Sequence, residues 1–187
     1  MARDRIDLID PPPEVAPDAL NVLARDHRLI EELLAELGRA AAQQIDPLAR
    51  RICKMVRVHL QIEEELLYPI VSRALTSTEL IATSEREHGQ VREAVVRVES
   101  LTSEHSEFNS AMAVLSEQIA QHVSREEQEL FPLLRAATLD LVAIGVGLAE
   151  RRDTLLDVLG LHGDDEEGAA NQRETHQPSA PRPSADS

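Results

Sequence analysis

His59-Leu60-Gln61-Ile62-Glu63-Glu64-Glu65-Leu66-Leu67-Tyr68-Pro69 reads H-x-x-x-E-E-x-x-L-[YF]-P, and His122-Val123-Ser124-Arg125-Glu126-Glu127-Gln128-Glu129-Leu130-Phe131-Pro132 repeats the pattern. Residues four apart stack one turn above each other on a helix, so each copy sets an imidazole and a carboxylate on one face, converging on one point. Working outward, Arg25-Asp26-His27-Arg28-Leu29-Ile30-Glu31-Glu32 and Arg86-Glu87-His88-Gly89-Gln90-Val91-Arg92-Glu93 share R-[DE]-H-x-x-[IV]-x-E. The chain therefore reads as a duplicated pair of helices, each pair supplying a His and then a His plus a Glu.

Composition agrees with helices. Aromatics are 2% of 187 residues and there is no Trp, while Leu, Ala, Val, Glu and Arg abound, which disfavours a β-sandwich. A formal charge of −15, from 34 acidic and 19 basic residues, leaves no basic stripe for phosphates and excludes nucleic acid as a partner. The most apolar run, Leu139 to Ala149, contains Asp140 and is followed by Glu150 and two arginines. That is far short of the roughly 20 residues of a spanning helix, so no membrane partner is expected. The one cysteine, Cys53, forms no internal disulfide, and no signal-peptide pattern opens the chain, so the expected location is the cytoplasm.

Four bundle helices are predicted within residues 18–137. The first starts at Asp18, with Leu20, Leu23, His27, Ile30, Leu34, Leu37 and Ala41 on its inner stripe. Asp46-Pro47 reads as the cap and first residue of the second, whose stripe is Ile52, Val56, His59, Glu63, Leu66 and Ile70; Pro69 should kink or end it. Thr76 and Glu79 form a capping box for the third, with Ile81, Ser84, His88, Val91, Val95 and Val98 inward. After the polar cluster 102–106 comes the fourth, with Phe108, Met112, Leu115, Ile119, His122, Glu126, Glu129 and Leu133. Outside the bundle lie a proline-rich extended arm, 1–17, and a packing helix, 138–160, in which Gly145 and Gly147 permit close approach. Residues 161–187, nearly free of apolar side chains, read as a disordered tail. The predicted fold is all-α: an antiparallel up-down-up-down four-helix bundle with an additional C-terminal helix.

Such a bundle puts His27, His59, Glu63, His88, His122 and Glu126 at its centre. Burying an ionised group without a partner costs several kcal/mol. Mutual salt bridges explain neither the i, i+4 spacing nor its repetition. Metal ions explain both, because imidazole plus carboxylate suits iron or manganese, carboxylates bridge ions, and bundle cores house such sites.

These residues resemble the hemerythrin-like HHE cation-binding domains, whose pattern is a His on helix one, H-x-x-x-E on helix two, a His on helix three and H-x-x-x-E on helix four. The likeness spans residues 20–135. It implies two iron ions, with His27 and His59 on one, His88 and His122 on the other, and Glu63 and Glu126 bridging beside an oxo, hydroxo or water ligand. Oxygen-carrying members have H-x-x-x-H on helix three; here Ser84 precedes His88 by four residues and Arg92 follows it by four. One imidazole fewer implies more open coordination positions, which favours redox chemistry on hydrogen peroxide or nitric oxide over reversible oxygen carriage.

The expected function is binding or turnover of a small oxidant, leaning to a catalase-like disproportionation. The alternative is a module that senses or binds oxygen, nitric oxide or iron without turnover; a metal-free interaction bundle ranks third. Glu129 is a candidate further ligand, or an acceptor behind the ligands, and is as readily a solvated residue. Tyr68 and Phe131, five residues beyond the glutamates and about 140° round an α-helix, are read as packing residues. Asp26 and Glu87 should solvate or pair with Arg25 and Arg86, and of Glu63-Glu64-Glu65 only one faces inward. His105, His162 and His176 are excluded as ligands, and Cys53 reads as an inert buried thiol.

Overall fold

The computed structural model describes residues 18–74 and 78–161; the arm, Thr76 of the capping box, and the tail from residue 162, with His162 and His176, lie outside them. Every element among the described residues is helical. The Asp18 carboxylate accepts from the Asn21 amide at 2.8 Å, opening helix α1 (Ala19–Leu37) with the side-chain cap its sequence calls for. Helix α2 (Ala42–Ile62) starts one turn earlier than its Asp46-Pro47 signal suggests, from an Ala41 without a side-chain cap bond. Pro47 instead lies inside the exposed first turns, where a missing donor leaves a carbonyl to water, and Asp46 accepts from the Ser103 amide at 2.7 Å. Helix α2 continues through a π-turn (Glu63–Leu67) into α3 (Tyr68–Ala74). Helix α4 (Thr78–Glu99) follows, then α5 (Phe108–Arg125), a second π-turn (Glu126–Leu130) and α6 (Phe131–Ala136). Helix α7 (Leu141–Leu159) is capped by Asp140, which accepts from the Ala143 amide at 3.0 Å, and stops at Gly160, whose φ of 67° needs glycine's freedom.

Both π-turns sit at the start of the duplicated E-E-x-x-L-[YF]-P. The Tyr68 amide bonds back five residues to the Glu63 carbonyl, and the Phe131 amide to the Glu126 carbonyl. The following prolines, Pro69 and Pro132, have no amide to donate and need room at the preceding turn. The wider π-turn provides that room, so neither helix ends there.

An extra residue in one turn advances the inward face by one position. Up to Glu63 and Glu126 the α-periodic stripes are buried as expected; beyond them Leu67, Tyr68 and Val71 are buried in place of Leu66 and Ile70. Likewise Leu130, Phe131 and Leu134 are buried, whereas Glu129 and Leu133 are exposed. The core joins the buried faces of α1, α2, α4 and α5, and α7 covers α1, α2 and the first π-turn through Leu148 and Leu156. Gly145 is buried there, but Gly147 has no atom within 4 Å of where a Cβ would stand, so it serves no close approach. No described helix is long and apolar enough to cross a membrane.

The register shift has a direct test by chemical denaturation of the metal-free protein. Leu134→Ala should cost about 2–5 kcal/mol, as for a fully buried leucine, and Leu133→Ala about 1 kcal/mol or less. A continuous α-helical register requires the reverse order.

Candidate metal centre

The six inward polar residues are all buried, each at most 2% exposed. Helix α1 brings His27, α2 brings His59 and leads into Glu63, α4 brings His88, and α5 brings His122 and leads into Glu126. His27, His59, Glu63, His122 and Glu126 each offer a ligand atom within 4.8 Å of all the others. His88 closes the far side, its Nε2 3.2 Å from Glu63 Oε2. Glu63 also lies 3.5 Å from His59 and 3.7 Å from His122, and Glu126 lies 3.4 Å from His27 and 3.7 Å from His122. Each carboxylate thus faces imidazoles from both halves of the duplication.

The site's own groups do not satisfy one another. The Nε2 atoms of His27 and His59 are 3.2 Å apart, and those of His59 and His122 are 3.5 Å apart. Both Glu63 oxygens and Glu126 Oε2 lack a hydrogen-bond partner. Buried polar atoms are nearly always paired, so a set of lone pairs aimed at one volume without donors fits cations. Burial and the neighbouring Glu126 charge push the Glu63 carboxyl up. Burial pushes Glu126 up as well, but His122 and the His27 imidazole 3.4 Å from its Oε2 more than offset it and hold it below the usual range. Burial drives His122 down to about 3 and lowers His88, so these two are neutral, the form that binds metal; burial lowers His27 too, but Glu126 and Glu127 outweigh it and raise that imidazole.

Three carboxylates stand behind the imidazoles. Glu127 Oε1 is 2.9 Å from His27 Nδ1 and is itself held by Arg28. By the same design Glu64 Oε1 is 2.8 Å from His88 Nδ1 and is held by Arg92. The second glutamate of each E-E pair therefore orients the lone histidine of the opposite half, a role the reading of Glu64 as wet surface misses. Asp26, expected beside Arg25, is 1% exposed and accepts from Arg152 Nε of α7 at 2.5 Å. Its other oxygen faces His59 Nδ1 at 3.9 Å. Burial raises the Asp26 carboxyl, but His59 and Arg152 outweigh it and set it below its ordinary value. Glu87, expected beside Arg86, pairs with Arg125 at 3.0 Å.

Tyr68 is not a packing residue alone. Its hydroxyl lies 2.9 Å from His88 Nε2 and donates to Glu126 Oε1 at 3.2 Å. One inserted residue turns the 140° offset into about 40°, which is why an α-periodic reading misplaces it. Phe131, its counterpart, stacks on His27 at 6.0 Å between ring centroids and 10° between planes. Glu129 stays outside the cluster. Ser84 donates to the Leu80 carbonyl at 3.2 Å and Arg92 holds Glu64, so α4 offers the centre a single imidazole. Cys53 is fully buried, its thiol pushed up to about 12 mainly by burial, and His105 is exposed.

The family model described as Hemerythrin HHE cation binding domain matches residues 18–134. No curated protein sequence matches the chain. A crystal structure of a hemerythrin HHE cation binding domain-containing protein from Mycobacterium kansasii superposes with a TM-score of 0.67 at 22% identity, covering 79% of this chain and 94% of that one. At that identity the likeness speaks for the fold alone, and the family match rests on more than half of the sequence. With that match, and a buried His and Glu cluster within the matched residues that could hold a metal ion, the chain belongs to the hemerythrin HHE cation-binding domain family.

Proposed function

We propose that this chain is a non-haem di-iron protein that turns over a small oxidant, hydrogen peroxide foremost, by catalase-like disproportionation. The observation that carries the reading is a buried convergence of four imidazoles and two carboxylates whose inward oxygens have no partner. In this reading the four bundle rods run up, down, up and down, antiparallel, about a pair of irons. His27 and His59 would hold one iron and His88 and His122 the other, with Glu63 and Glu126 shared, since each carboxylate faces imidazoles from both halves. A bound iron pair supplies two-electron redox chemistry, by which one peroxide is oxidised to oxygen and a second reduced to water.

The rest is the work of the chain. With one imidazole from α4 instead of two, the donor set leaves room for a small molecule. Burial, with the charges of Glu63 and Glu126, raises the Tyr68 phenol far above its ordinary value, so it stays protonated. Once His88 Nε2 commits its lone pair to a metal it no longer accepts from the phenol. Glu126 Oε1 then remains as acceptor, and the Tyr68 hydroxyl is a hydrogen-bond donor at the centre. Leu67 and Leu130, both fully buried, help keep water out. Cys53, a free buried thiol, suits a reducing, cytoplasmic setting.

The test is to load the metal-free chain anaerobically with ferrous iron, count iron per chain, and follow oxygen evolution after peroxide addition. Turnover by an iron-loaded centre is expected. Ligand binding without oxygen evolution removes the enzyme and leaves a module that binds or senses oxygen or nitric oxide; a chain that takes up no iron removes both. Tyr68→Phe should keep the iron and slow oxygen evolution by about 10²-fold, the contribution of a positioned hydrogen-bond donor.

Glu63→Leu separates metal binding from core stability. In the metal-free protein it should hold or raise the denaturation midpoint, because an apolar side chain replaces two unpartnered oxygens. It should also abolish the rise in midpoint that added iron gives the parent chain. A lowered metal-free midpoint with the iron effect intact would show Glu63 to be a structural partner and not a ligand.

A further inference from the structure

We propose that Arg152, on the helix beyond the family-matched segment, is a positioning residue of the metal centre, acting through Asp26 on His59. The inference rests on the metal-binding reading of the cluster and goes beyond it, since α7 (Leu141–Leu159) lies outside residues 18–134.

Of the four inward imidazoles, His27 and His88 have a carboxylate on the nitrogen that faces away from the centre, Glu127 at 2.9 Å and Glu64 at 2.8 Å. An acceptor there keeps the hydrogen on Nδ1 and the Nε2 lone pair aimed at the cation, and fixes the ring plane. His59 Nδ1 is buried with no hydrogen-bond partner, and so is Asp26 Oδ2. These two face each other at 3.9 Å, about 1 Å beyond hydrogen-bond reach. Neither has another partner, so a small shift that joins them satisfies both. Asp26 is held for this task from the other side, by Arg152 Nε at 2.5 Å on its remaining oxygen.

The pairing is built rather than incidental. Asp26 is 1% exposed, and a buried carboxylate without its cation does not remain charged. Its counterpart in the second half, Glu87, takes its cation from Arg125 within the bundle, at 3.0 Å, and is more exposed. Only the first half reaches to α7 for its arginine. Arg151, next along that helix, pairs at the surface with Glu65 at 2.6 Å and provides an internal control for docking of α7.

The experiment titrates the full metal-free chain with Co(II) under argon, reading affinity and coordination from the visible d–d bands. For Arg152→Gln and for Asp26→Asn we expect about 10–100-fold weaker binding of one metal equivalent, with altered bands, while the other equivalent changes by less than about twofold. The double variant should be no worse than either single one, because both act along one chain of contacts. Arg152→Lys should recover most of the affinity, and Arg151→Gln should bind as the parent does. Arg152→Gln binding both equivalents with parental affinity and bands overturns the proposal while leaving the metal reading intact, and so does equal weakening by Arg151→Gln. A parent chain that binds no Co(II) overturns both. Circular dichroism of each metal-free variant establishes that it is folded, and Asp26→Asn, which keeps the size of the side chain, carries the test if Arg152→Gln does not fold.

Discussion

Lone pairs without donors, sealed in an apolar core, are the constraint to which the rest of this structure answers. Two carboxylates and four imidazoles occupy positions that leucine would fill at no electrostatic cost. The protein accepts that cost at one level of its core and surrounds it with ordinary packing: Leu23, Ile30, Ile62 and Leu115 are all buried around it. Contacts among the six residues relieve part of the strain, as where Glu126 faces His27, but they leave both oxygens of Glu63 unmet. A core arranged in this way is completed from outside, by cations.

Repetition made the centre legible. A single H-x-x-x-E is a weak signal, but two at matching places, each preceded by a lone histidine, select six residues that the fold brings together. The same repetition also marks Tyr68, which an α-helical periodicity applied without a break misplaces; Asp26 and Glu87 lie on helices without a π-turn, and no local pattern names the arginines of other helices that pair with them. An α-helix turns about 100° per residue, so every position beyond Glu63 and Glu126 was assigned one residue out of step. Glu129 and Leu133 fall inward on that reckoning, and Tyr68 falls away from the centre as a packing residue. The signal for the break was present in Pro69 and Pro132, which forbid a regular ladder where the apolar pattern demands that the helix continue. Arg152 had no such signal, because its partner Asp26 is distant in sequence and nothing in either local pattern links them.

The duplication is close in backbone and broken in chemistry. Both halves share the π-turn, the glutamate facing the centre and the next glutamate turned to the opposite histidine. They differ where Tyr68 opposes His88 while Phe131 stacks on His27, and where Asp26 reaches to α7 while Glu87 is served by Arg125. Two equal sites would suit storage or structural support. The hydroxyl therefore stands beside His88, while the aromatic ring stands beside His27 and the added helix reaches toward His59 through Asp26.

That division has a physical logic. Tyr68, although buried, borders a surface cavity of about 400 Å³ lined also by Glu64, Pro69, Ser72, Glu85 and Arg92. The His59 side of the centre lies toward α7, where Leu148 and Leu156 are buried and Arg152 is drawn in to Asp26. Covering that side lowers the local dielectric and strengthens the charge contacts there. The added helix thus makes two otherwise matching half-sites unequal, with Asp26 and Arg152 behind His59 and the phenol beside His88.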